Sequence, residues 1–330
     1  MSRDVLVDRL KGYACFLVVI GHVIMGIRLA GIDVPSIFPA AETFIWSFHV
    51  SLFLFLSGQV YTLTGGWKGK QTRFNFIKHK AITLGVPYII FSVVYILINS
   101  FAGGANNQSS YADILLIWKT PIAQYWFLYA LFFLFVTWAL LGKFKNWQIT
   151  IFVVGIAYLV PLLGGTFGPL EVVMYSALPF GVGTCFKIAT VDKGHPIAKI
   201  AVILLHIAVC AVLIKLGVMG MFGVKELIMF FGIYASILFI SMLSKFGIVS
   251  RFLDFFNKYS FQTYLLHTIF TAGIRMVFIK MNVTHWGIHL VGGLLVGILC
   301  PVIVAKIAER IPVLNRCFFP LKPRKVDKND

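Results

Sequence analysis

The chain has 330 residues, 59% of them hydrophobic and 12% charged, with a mean hydropathy of +0.89. An ordinary soluble domain carries roughly 25% charged and 45–50% apolar residues. The composition therefore excludes a soluble enzyme, a disulfide scaffold and a disordered tail protein, and also a porin-like barrel, whose strands would alternate apolar with polar residues. The net charge of +17 is not read as nucleic-acid binding, because membrane proteins gather Lys and Arg in their cytoplasmic loops.

A membrane-crossing helix needs about 20 mostly apolar residues. Ten runs qualify, over roughly 11–30, 43–64, 77–99, 122–141, 149–163, 170–189, 197–216, 224–243, 258–279 and 287–308. The fifth is short, closed by Pro161 and Gly164-Gly165. Turn chemistry separates the others, as in Gly65-Gly66 and Lys193-Gly194-His195-Pro196. The N-terminal stretch carries no signal-peptide cleavage pattern, so the first run is expected to stay in the mature chain.

With the N-terminus inside, 23 lysines and arginines fall in cytoplasmic segments and 6 on the opposite side. That bias predicts cytoplasmic termini, with Gly69 and Gly194 inside and Ser109 outside. The expected fold is an all-α polytopic membrane protein of about ten transmembrane helices. It forms a single domain over residues 1–330, with a short basic tail from about residue 309.

Ionisable groups at membrane depth are costly and point to function. All twelve acids lie at span ends or in loops, whereas His22, His206 and His267 lie within spans and His49 lies nearer the outer face. His22 follows Lys11 by eleven residues, three helical turns plus about 20°, so the two share a face about 16 Å apart along the axis. A neutral imidazole there can take a proton from an attacking hydroxyl; the alternative is a histidine that only packs between helices. Ser57 lacks the base and sharp turn of a nucleophile, and Ser57-Gly58 reads as a close helix contact. His206, in VILLHIAVC, reads as a core histidine. His267 has Ser260, Gln262, Thr263 and Tyr264 within two turns, and reads either as network support or as packing. No HxxxH or HxH spacing points to a metal, and the five cysteines show no CxxC pattern. The segment GGWKGKQTRFNFIKHKAITLGVPY carries five cations, which anchor topology and can also seat a polyphosphate. No Walker loop or GxGxxG is present, so an ATPase or Rossmann reading fails.

Four elements in this order resemble the acyltransferase-3 family of integral membrane acyltransferases. They are the basic residue, ten residues and histidine from Lys11 to His22; FHVSLFLFLSG, containing His49 to Gly58; QYWFLYALF, containing Trp126 to Phe132; and Tyr259 to His267. One departure is Lys80-Ala81-Ile82-Thr83 before Pro87-Tyr88, where the family often has an RxxR pair. A bidentate arginine clamp is thus not carried over. No periplasmic hydrolase-like domain, which some members append, is expected within these 330 residues.

The resemblance implies an acyl-CoA donor, usually acetyl-CoA, entering from the cytoplasm, and a sugar hydroxyl as acceptor, often on a glycolipid or polysaccharide. His22 is then the general base, with Lys11 and His49 in the catalytic group. Arg9, Lys11, Arg73, Lys78 and Lys80 become donor-phosphate contacts. Glu42, Gln124, Trp126, Glu171 and Arg275 form a polar outer ring for the acceptor. Trp126 can stack on a sugar face, or sit in the interfacial belt as Trp commonly does. The rival reading is a transporter or acyl-group exporter with histidines along its path, against which the missing mid-span acids count.

Overall fold

The computed structural model describes residues 4–68, 72–102, 110–188, 191 and 194–321. Gly69, Ser109 and the tail beyond residue 321 lie outside the described residues. Thirteen α-helices occur among those described, with no strand: α1 Val5–Leu29, α2 Ile37–Trp46, α3 His49–Leu63, α4 Arg73–Lys80, α5 Val86–Ala102, α6 Trp126–Leu140, α7 Asn146–Leu162, α8 Glu171–Cys185, α9 Pro196–Leu216, α10 Val224–Leu243, α11 Gly247–Lys280, α12 Trp286–Arg310 and α13 Pro312–Phe318. Seven helical stretches, in α1, α2 with α3, α4 with α5, α6, α9, α10 and α12, are long and apolar enough to cross a membrane, and α7 is a shorter apolar helix. The fold is thus an all-α, multi-pass membrane protein.

Among the differences from the sequence expectation, three have a local reason. The run at 43–64 is two helices, parted at Ser47 and Phe48, where the Ser47 hydroxyl bonds to the Phe44 carbonyl at 2.7 Å and Phe48 takes φ −143°. A hydroxyl that satisfies a nearby carbonyl competes with the helical ladder. The run at 77–99 contains a π-helical segment, Ala81–Gly85, between α4 and α5. Helix α11 begins eleven residues before the run at 258–279; its first turns carry Arg251, Asp254 and Lys258, so hydropathy alone does not find them.

Helix α1 is the hub, packing against α2, α3, α10, α11 and α12. Small residues set its approach to α11: a side chain at Gly12 would collide with the Leu253 carbonyl, and one at Gly26 with the Arg275 guanidinium. Cys15 Sγ meets the Ser260 carbonyl at 3.7 Å, and the His22 and His267 rings touch. The partners advance together, so α1 and α11 run in the same direction. Helix α12 runs against them, with Gly293 on Val23 and Gly297 on Val19 and Thr271.

Helix α9 is inverted relative to a soluble helix. Its buried residues are Lys199, His206 and Cys210, while Ile197, Leu204, Leu205 and Val212 are exposed. In water that arrangement would be unfavourable twice over. Against lipid tails the exposed apolar face costs nothing, and the polar groups find partners inside.

Candidate functional site

The ladder of α1 brings His22 to its last two turns, and the break at Ser47 and Phe48 brings both Trp46 and His49 toward it. Gly21 leaves room for Ile45 and Trp46 to close on α1. The result is a file of four rings. His267 stands 4.9 Å from His22 edge-on, His22 5.2 Å from Trp46, and Trp46 4.9 Å from His49. His49 and His267 are fully buried and His22 is half-buried.

All three imidazoles adopt one hydrogen-bonding pattern. Nδ1 of His22 reaches the Val18 carbonyl at 3.1 Å, that of His49 the Ile45 carbonyl at 2.8 Å, and that of His267 the Thr263 carbonyl at 2.8 Å. A carbonyl only accepts, so Nδ1 must carry the proton in each ring, and the free lone pair lies on Nε2. Nε2 of His49 and of His267 is buried without a hydrogen-bond partner.

His22 and His49 line a cavity of about 460 Å³ between α1, α3, α5, α6 and α11. Gln124, Trp126 and Arg275 line it too, so five of the residues singled out in the sequence meet at one place. The short turn Ala123–Tyr125 holds this wall. The Tyr264 hydroxyl donates to the Gln124 carbonyl at 2.7 Å and the Tyr125 hydroxyl to the Leu265 carbonyl at 2.8 Å, while Ala123 takes φ +45°. A left-handed alanine is strained, and here it aims Gln124 and Trp126 inward. Gln124 Oε1 and Asn99 Nδ2 are buried without partners, and both residues line the cavity.

Other expected site residues stand apart. Glu42 is not in the cavity: it binds Arg28 at 2.8 Å and lines a shallower pocket of about 320 Å³, with Trp46 as the shared wall. Glu171 lies exposed at the first residue of α8 and does not line the cavity. Arg9 pairs with Asp254 at 3.2 Å and Lys11 with Asp8 at 3.7 Å, so the acids beside them already compensate their charges. Arg73 lies over the Trp67 ring and Lys80 over the Phe135 ring, at 4.6 and 4.0 Å, and Lys78 is exposed. Arg9 and Lys11 lie on α1, and Arg73, Lys78 and Lys80 on α4. Lys80 is nonetheless one turn from Leu84, which lines the cavity.

His206 lies outside the cavity, among Phe44, Phe48 and Phe231, with Cys210 Sγ at 3.4 Å. Cys210, four residues on, is its polar neighbour, which the surrounding apolar sequence concealed. Among the described residues no three His, Cys, Asp or Glu side chains are grouped to hold a metal ion. The residue that sequence reasoning undervalued is His267. Its ring partner His22 is 245 positions away, and the signals for it were its place within a span, the polar residues in the two turns before it and the last of the four elements.

The model of the family described as an acyltransferase domain matches residues 5–306. The chain belongs to that family, and its class is that of a multi-pass membrane acyltransferase. Nodulation protein NolL of Mesorhizobium japonicum is similar to it, 27% identical over 161 residues, covering 48% of this chain and 42% of that protein. The chain therefore spans less than half the length of that relative. No solved structure matches it.

Proposed function

We propose that the protein moves an acyl group, expected as acetyl, from a cytoplasmic acyl-CoA to a hydroxyl of a cell-surface or lipid-linked sugar, with His22 as general base. One observation carries this reading: His22 lines the cavity while its Nδ1–H is held by the Val18 carbonyl. That leaves Nε2 as the basic atom, and the tautomer is fixed before substrate arrives. The hydroxyl gives its proton to Nε2 as its oxygen attacks the thioester carbonyl, and the thiol leaves with a proton from the imidazolium. His49 and His267 steady the ring file beside it.

A hydroxylated acceptor suits the walls. Trp46 and Trp126 offer faces for a sugar ring, and Gln124 Oε1 accepts from a hydroxyl. Donor phosphates are assigned to the side of Lys80, with Lys78 and Arg73 nearby. Arg9 and Lys11 take a smaller part, because Asp254 and Asp8 already neutralise them.

The test is transfer from acetyl-CoA to candidate glycans by the purified protein. Replacing His22 with Gln should cut the rate by about 10²–10⁴-fold and leave acyl-CoA binding largely intact. The same replacement at His206, outside the cavity, should retain most activity. Transfer by folded H22Q at close to the wild-type rate would overturn the proposal.

A further inference from the structure

The end of the cavity formed by the last turns of α1 and α11 contains a charge that no acid among the described residues answers. Arg275 lines it, half-buried, with no carboxylate partner among the described residues. Glu42 of α2 is bound instead to Arg28 through two hydrogen bonds of 2.8 and 3.2 Å. The guanidinium lies against Gly26, where a larger residue would collide with it. An unanswered cation inside a membrane protein normally faces a partner or a ligand path.

A second observation points the same way. Asn99, 8% exposed, keeps its buried Nδ2 without a hydrogen-bond partner, and Asn99 lines the same cavity. Tyr95 lies one turn before it on the same face of α5, lines the cavity too and is an electrostatic neighbour of Arg275. A guanidinium fork, an amide donor and a phenol form a set of donors suited to an oxyanion, which a guanidinium binds through two parallel hydrogen bonds. The surrounding walls are Leu29, Ile98 and Met276, which favour an apolar group beside that anion.

We infer that this end of the cavity is an oxyanion subsite. Arg275, with Asn99, receives a carboxylate or phosphate carried by the acceptor, so the acceptor is an acidic glycolipid rather than a neutral sugar. The inference rests on the acyltransferase reading of the cavity and adds the acceptor's charge to it. Gly26 is one turn beyond His22, about 6 Å along the axis, so an anion held at Arg275 leaves a neighbouring hydroxyl within reach of His22.

The test uses the full chain in neutral phosphatidylcholine nanodiscs, with binding read from fluorescence of the cavity tryptophans. Three probes share one tail: dodecyl glucuronide, dodecyl phosphate and dodecyl glucoside. The wild-type protein should bind at least one charged probe about tenfold more tightly than the glucoside, and whichever charged probe is preferred identifies carboxylate or phosphate as the source. R275Q should reduce the preference to within about threefold, and R275K should retain part of it because Lys keeps the charge without the fork. G26A keeps the charge but pushes the guanidinium aside, so it should also weaken the preference; it carries the test if R275Q does not fold. Lys280→Gln, at the exposed end of α11, should change nothing. Equal binding of all three probes by the wild-type protein, or a preference that survives in both R275Q and G26A, would sink the subsite. Acyl-CoA turnover without any charge preference would leave the transfer reading standing alone. A preference that follows Arg275, combined with wild-type transfer by H22Q, would leave only the subsite.

Discussion

Lys80 holds its ammonium 4.0 Å from the centre of the Phe135 ring and 5.5 Å from that of Phe76, a cation–π seat one turn below the cavity wall at Leu84. Such a seat holds the charge in place while leaving its N–H donors free for a phosphate. Reversing Lys78 and Lys80 to Glu should therefore raise the acetyl-CoA KM much more than the acceptor KM. Each lost charge-assisted contact is worth roughly 1.5–3 kcal/mol, about ten- to a hundredfold. Unchanged donor affinity in steady-state kinetics would reduce this segment to a topology anchor. At this scale the sequence was legible where a polar residue interrupts an apolar run. His22 and His49 stood out that way, Trp126 through the QYWFLYALF element, and Gln124 and Arg275 as members of the outer ring; all five line one cavity. Trp46 and Asn99 did not stand out, because a Trp in an apolar run and an Asn near a span end have common structural explanations. Glu171 was grouped with the ring from its expected height in the membrane, and height says nothing about which side of the bundle a residue faces.

Glycine governs contact between helices here. A side chain at Gly58 would strike the Phe180 carbonyl of α8, and one at Gly183 the Phe55 carbonyl of α3. The two helices lock backbone to backbone, and side-chain hydrogen bonds bridge the same seam, with Thr62 Oγ1 on the Thr184 carbonyl at 2.8 Å and Gln59 Nε2 on the Phe186 carbonyl. Gly183→Val should lower the melting temperature in detergent, with roughly 1–3 kcal/mol of overpacking. Gly155→Val on α7, where a side chain meets nothing within 4 Å, serves as the matched control; equal melting of the two would refute the account. The Ser57-Gly58 pair was readable in advance as a close contact, and the Ser57 hydroxyl indeed bonds back to the Phe53 carbonyl at 2.8 Å. The break between α2 and α3 was not readable, since it turns on one serine rotamer inside a continuous apolar run. The early start of α11 was hidden by its charges, which hydropathy counts against a span although a helix extending past the bilayer tolerates them.

Across the whole molecule, the bias of the cations supports an orientation that the helix directions can be tested against. Single cysteines at Gly194 and Gly220, in a background lacking the native five, should label differently with an impermeant reagent in intact cells. Gly220, between α9 and α10, is expected to react and Gly194, before α9, to be protected; the reverse pattern would invert the protein. The all-α membrane class was legible because hydrophobic content and helix-length runs leave few alternatives. Which runs pack together was not, because in lipid every run looks alike and the pairing is decided by small residues and isolated polar groups.

The shared direction of α1 and α11 fixes a parity. If α1 ends on one side of the bilayer, α11 begins on the other, so the chain from residue 30 to residue 246 must cross an odd number of times. Helix pairs α2 with α3 and α4 with α5, together with α6, α9 and α10, are long and apolar enough to supply five crossings. Helices α7 and α8, of 17 and 15 residues, must then either both cross or both stay on one side. Ten crossings and eight satisfy the rule, and nine does not. A third cysteine at exposed Thr166, between α7 and α8, separates the two: it shares the compartment of Gly220 if both helices cross and that of Gly194 if neither does.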